Sequence, residues 1–90
     1  MTARVFISGF VQGVGFRGFV EHHASKLGLT GWVKNLEDNR VEVLFQGSKE
    51  QIEKAISLCK KGPFLSEVKD VVVEWEDSTT ETFKNFEIAY

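Results

Sequence analysis

A chain of 90 residues can bury one modest core, and its 42% hydrophobic and 27% charged content excludes an intrinsically disordered segment. Eleven Lys and Arg against thirteen Asp and Glu leave a formal charge of −2, so the basic surplus of a general nucleic-acid binder is missing. The lone cysteine, Cys59, excludes an internal disulfide, and no run approaches the roughly 18 apolar residues of a membrane span.

The elements follow in chain order. Val5 to Val11 is rich in β-branched and aromatic residues and reads as a largely buried strand. A helix begins near Phe16: Phe16, Val20, Ala24 and Leu27 recur at helical spacing, with Phe19 at the edge of the stripe and Gly28 at the place of a left-handed cap. Gly31 to Leu36 and Arg40 to Gln46 read as two strands, the second alternating Val41, Val43 and Phe45. The corner Glu37-Asp38-Asn39 between them suits a hairpin, because Asn reaches positive φ. Ser48 and Gln51 form a capping box for a second helix with the stripe Ile52, Ala55, Ile56 and Cys59, and Gly62-Pro63 stops it. Val71, Val73 and Trp75 alternate in a fourth strand, and Phe86, Ile88 and Tyr90 suggest a short fifth. Strand–helix–strand–strand–helix–strand is the split βαβ, ferredoxin-like α+β plan, with two helices on one face of an antiparallel sheet. That plan makes the first two strands parallel, with the third between them. The loop after Val11 and the residues near Asn35 are then neighbours in space.

That loop, Gln12-Gly13-Val14-Gly15-Phe16-Arg17, carries the strongest chemical signal. Two glycines let the chain turn tightly and point consecutive N–H groups inward. No Ser, Thr, Asp or Asn precedes Phe16 to cap the helix, so its first N–H groups are open to an anion. Arg17 lies in the first turn, where its charge opposes the helix dipole and a bound dianion would remove the conflict. Its planar fork suits phosphate oxygens. A plain glycine turn beside a solvated arginine answers to the same residues. Gly13, Gly15 and Gly18 also spell the dinucleotide fingerprint G-x-G-x-x-G, with Glu37 or Asp38 about twenty residues on, but the second strand turns directly into a hairpin instead of continuing βαβ units.

The stretch GFVQGVGFR, Gly9 to Arg17, resembles the acylphosphatase signature G-x-V-Q-G-V-x-F-R. GWVKNLEDNRVEVLFQG, Gly31 to Gly47, resembles that family's second pattern, and Gly62-Pro63 matches the end of its second helix. One departure stands out, Asn39 where the family usually has Gly. The resemblance implies hydrolysis of acyl phosphates to carboxylate and inorganic phosphate. It makes Arg17 the phosphate-binding arginine, Asn35 the water-orienting asparagine, and the main-chain N–H groups of Gln12, Gly13, Val14, Gly15, Phe16 and Arg17 the phosphate cradle. Neither a metal nor another cofactor is implied.

The chemistry asks little more. The leaving carboxylate has a conjugate-acid pKa of about 4 and departs unprotonated, so charge neutralisation and placement of an in-line water remain. Other polar residues take plain readings. His22 and His23 are adjacent on a helix rather than at the i, i+4 spacing of paired ligands. Cys59 is a packed thiol, Lys60-Lys61 suit a helix C-terminus, and Glu74, Glu76, Asp77 and Glu81 make a solvated acidic stretch. An RNA-recognition domain shares the strand order, yet Arg40 to Phe45 lacks its basic, glycine-rich and aromatic third strand. A phosphate-binding module without turnover is the other alternative. The expectation is one domain over residues 1–90: a cytoplasmic monomer that takes a small acyl phosphate, with no nucleic-acid or membrane partner.

Overall fold

In the computed structural model, which describes residues 1–76 and 81–89, Ala3, Val5 and Ile7 alternate with Arg4, Phe6 and Ser8 along the first strand, β1 (Thr2–Phe10). The first three are fully buried, so the period-two pattern turns one apolar row toward the helices. The helix α1 (Phe16–Lys26), the strands β2 (Thr30–Asn35) and β3 (Val41–Gln46), the helix α2 (Lys49–Lys61), and the strands β4 (Glu67–Glu76) and β5 (Phe86–Ile88) complete the order. The strands form one sheet in the order β4-β1-β3-β2-β5. β3 is antiparallel to both β1 and β2, which makes β1 and β2 parallel and brings their C-terminal ends to one edge. This is the ferredoxin-like arrangement that the sequence pattern predicts.

The helices cover the sheet with the stripes read from the sequence. Phe16, Val20 and Ala24 of α1 and Ile52, Ala55, Ile56 and Cys59 of α2 are buried against Val5, Ile7, Val33, Val43 and Phe45. Each such fully buried aliphatic or aromatic side chain contributes about 1.5–3 kcal/mol. α1 closes one residue earlier than its stripe suggests, with Leu27 as C-cap and Gly28 in the left-handed region just beyond.

Several boundaries differ from the pattern-based expectation. β1 starts at Thr2 instead of Val5, because Thr2–Arg4 are paired on both sides, by Leu44–Gln46 and by Glu74–Glu76. β4 starts at Glu67, well before Val71; pairing of Glu67 and Val68 with Phe10 and Gly9, across a bulge, overrides the weak strand propensity of its charged residues. The sheet is mixed rather than wholly antiparallel, since β5 lies parallel to β2 through Gly31–Phe86, Trp32–Glu87 and Val33–Ile88. Stacking of Phe86 on Phe45, with ring centroids 5.7 Å apart, holds β5 there. The capping box is half formed: Ser48 Oγ accepts from Gln51 N at 3.2 Å, while Gln51 Oε1 is buried and has no partner among the described residues. Tyr90 and Asp77 lie outside the described residues.

Candidate active site

At the edge where β1 and β2 end, the chain leaves Phe10 and passes through Gly13 at φ 76° and Gly15 at φ 79° before entering α1. Both glycines occupy the left-handed region, where a Cβ is disfavoured, and a turn of this kind can point successive N–H groups inward. Gly15 is the N-cap of α1 and makes no side-chain cap hydrogen bond, and no acidic residue lies in the first turn. The first backbone bond of the helix runs from Phe19 N to Gly15 O at 3.0 Å, so the N–H groups of Phe16 and Arg17 precede the ladder.

Asn35 arrives from the other side. It ends β2, paired with Val41, on the helix-facing side shared by Val33. The hairpin beyond it closes by Leu36 N donating to Arg40 O at 2.8 Å and Asn39 N to Leu36 O at 3.3 Å. Asn39 takes φ 74°, the left-handed conformation expected of this departure from Gly. Asp38 accepts from Arg40 N at 3.2 Å and Arg40 Nε at 2.7 Å, and the Arg40 backbone bond, ahead of the side-chain one, holds the Asp38 carboxyl below its usual range.

A cleft of about 160 Å³ lies between the loop and the hairpin strand, lined by Val11, Gly13, Gly15, Phe16, Arg17, Gly18, Asn35 and Ile88. Its floor is apolar, with Val11 and Phe16 almost wholly buried. Its charged lining group among the described residues is Arg17, which stands at the N-terminus of α1, where the helix dipole is also positive. Asn35 Oδ1 is buried and, among the described residues, has no hydrogen-bond partner. An unpaired buried amide oxygen costs about 1–3 kcal/mol, and the residue that carries it lines the cleft from the hairpin side.

Gly13, Gly15, Phe16, Arg17 and Asn35 thus meet in one cleft, whereas Gln12 and Val14 do not line it. Val14 packs partly against the core. The Gln12 side chain instead donates from Nε2 to Leu36 O and to Arg40 O, each at 2.9 Å, and so bolts the loop to the hairpin that carries Asn35. Sequence reasoning missed this tie, as it missed Ile88: alternation foretells β5 but not that β5 lies beside β2. The remaining candidates fall away from the cleft. His23 packs its ring 4.5 Å from Phe19, and burial, helped by His22 and Lys26, lowers its pKa. Burial pushes the Cys59 thiol up to about 12, which removes it as a nucleophile near neutrality. Among the described residues, no three His, Cys, Asp or Glu side chains are grouped to hold a metal ion.

A helix-flanked ferredoxin-like sheet with a glycine-turned, arginine-bearing cleft at one edge defines a small α+β protein of the split βαβ class. The acylphosphatase family model matches residues 3–88. An acylphosphatase of Pelotomaculum thermopropionicum is 47% identical over 88 residues, covering 98% of this chain and 95% of the relative. The crystal structure of acylphosphatase from Bacillus subtilis superposes with a TM-score of 0.95 at 40% identity, covering 99% of this chain and 98% of that one. HypF of T. kodakarensis is similar at 34% identity and a TM-score of 0.84, but the match covers 99% of this chain and only 12% of HypF. The chain belongs to the acylphosphatase family.

Proposed function

We propose that the chain hydrolyses acyl phosphates by direct attack of water, with the Arg17 side chain and the main-chain N–H groups of Gly13, Gly15, Phe16 and Arg17 holding the phosphoryl group and Asn35 holding the water. Acylphosphatase activity goes with the family; the roles of individual residues are inferred from the cleft. The carrying observation is that Asn35, Arg17 and the glycine turn line one cleft. Arg17 and the helix N-terminus neutralise charge on the equatorial phosphoryl oxygens, which is most of what a loose phosphoryl-transfer transition state needs. A side-chain amide can both accept from and donate to a water, which suits Asn35 to that role without making it a base. The water oxygen bonds to phosphorus as the P–O bond to the carboxylate breaks, and the water's proton passes to solvent or to the phosphoryl group. The carboxylate needs no acid, so neither a metal nor a general acid enters.

The same reading takes the chain as a monomer. The single, unpaired Cys59 accords with a reducing compartment such as the cytoplasm. A second reading, phosphate binding without turnover, draws on the likeness to a small part of HypF. Hydrolysis of acetyl phosphate in the presence of EDTA separates the two. Turnover should be unaffected by chelator and inhibited by inorganic phosphate. Arg17→Lys, which keeps the charge and loses the fork, should reduce the rate by on the order of 10³-fold. A metal-restored activity, or a lysine variant near wild-type kcat, contradicts these roles.

A further inference from the structure

The chain has eight glycines, and seven of them have positive φ. Gly18 is the exception. It sits in the first turn of α1 with ordinary helical geometry, and a Cβ built on it meets nothing within 4 Å. At Gly31, by contrast, a Cβ would come within 1.8 Å of Leu44 O. Glycine in a helix interior is about 0.5–1 kcal/mol less favourable than alanine, so at Gly18 the fold gains nothing from the missing side chain. What the missing side chain leaves open is the cleft, which Gly18 lines.

The cleft volume of about 160 Å³ holds on the order of five water-sized groups, at roughly 30 Å³ for each water in the liquid. A phosphoryl group with its attacking water takes up much of that space, and the acyl part of the substrate extends from it along the remaining lining. Apart from residues 11–17, the lining among the described residues consists of Gly18, Asn35 and Ile88. With Asn35 occupied by water, Gly18 and Ile88 remain. Ile88 is a half-buried apolar side chain fixed by the pairing of β5 with Val33 and by Ala89 N donating to Val33 O at 2.8 Å.

Building on the reading that the loop holds the phosphoryl group, we propose that Gly18 and Ile88 form an acyl-group subsite, an open shelf beside an apolar wall. Its ligand class is an acyl phosphate whose acyl group is bulky and apolar, such as an aryl or branched-chain carboxyl. Ile88 shields that group from water, and the bare turn at Gly18 gives it room.

Steady-state kinetics on acetyl phosphate and benzoyl phosphate test the subsite in the wild-type protein, Gly18→Ala, Gly18→Leu and Ile88→Ala. Calorimetric binding of the stable mimics acetylphosphonate and benzoylphosphonate runs in parallel. Gly18→Leu and Ile88→Ala should each lower kcat/KM for benzoyl phosphate, and affinity for benzoylphosphonate, about tenfold or more. The acetyl compounds and inhibition by inorganic phosphate should stay within about threefold. Gly18→Ala should raise the melting temperature, because the helix gains propensity and no neighbour is displaced. Equal changes on the acetyl and benzoyl compounds, or no change on either, overturn the subsite. Failure of the hydrolytic reading is separately visible as no wild-type turnover of either substrate, and the phosphonate pair then still decides the subsite.

Discussion

Gln12 joins two parts of the candidate site that no strand pairing connects directly, and Gln12→Met isolates that joint. Methionine keeps length and bulk but cannot donate, so both 2.9 Å bonds from Nε2 are lost. Two neutral hydrogen bonds at about 0.5–1.5 kcal/mol each set an upper range of about 1–3 kcal/mol. Leu36 O still accepts from Asn39 N, and Arg40 O from Leu36 N, so neither carbonyl is stranded and the loss should fall near 1–2 kcal/mol. The kinetic effect should be larger in proportion. Freed from the hairpin, the loop drifts relative to Asn35, and a misplacement of 1 Å is worth about 10²-fold in rate. Urea unfolding, inorganic-phosphate affinity and kcat should be measured on the same preparations, in wild-type and Asn35→Ala backgrounds. If Gln12 acts by placing Asn35, its effect on kcat largely disappears once Asn35 is alanine. Full additivity of the two substitutions in kcat would refute the reasoning, as would an unchanged kcat in Gln12→Met.

Two further perturbations test the fold around the site. Gly31→Ala drives a Cβ to 1.8 Å from Leu44 O at φ 133°, so it should cost about 3 kcal/mol or more and lower the melting temperature by over ~10 °C; a wild-type melting curve contradicts the β2–β3 register. Cys59 should resist a thiol reagent at pH 8 until the protein is denatured. Its folded pKa of about 12 lies above the ordinary 9.0, so its contribution to stability is whole below about pH 9 and is lost as pH rises toward 12. Cys59→Ala should flatten that alkaline decline in an unfolding series, and rapid labelling of the folded protein would contradict the burial.

The helix stripes and the meeting of the glycine loop with Asn35 were legible in the sequence because they rest on local rules. Apolar spacing fixes which face of α1 and α2 is buried, and strand order alone puts the ends of β1 and β2 at one edge. The uncapped start of α1 could be read from residue types, and Gly15 is its N-cap without a side-chain bond. What was not legible depends on partners distant in the chain. Thr2–Arg4 and Glu67–Asp70 have no strong strand pattern of their own and become strands by pairing. Gln12 looks like one more polar loop residue until Leu36 O and Arg40 O are placed beside its side chain. Ile88 comes to the cleft only through the parallel pairing of β5 with β2, which no local periodicity encodes.

The central claim is that binding and chemistry are divided, with the loop and Arg17 holding the phosphoryl group and Asn35 aligning the water. Asn35→Ala separates them directly, since it removes the orphaned Oδ1 and leaves the loop intact. Loss of a transition-state contact of this kind is worth about 10²–10³ in kcat. The decisive measurement is kcat for acetyl phosphate beside calorimetric affinity for inorganic phosphate in wild type and Asn35→Ala. The account predicts a kcat lower by about 10²–10³ with phosphate affinity within about threefold. An alanine variant with wild-type kcat, or one that loses phosphate affinity in step with kcat, contradicts it.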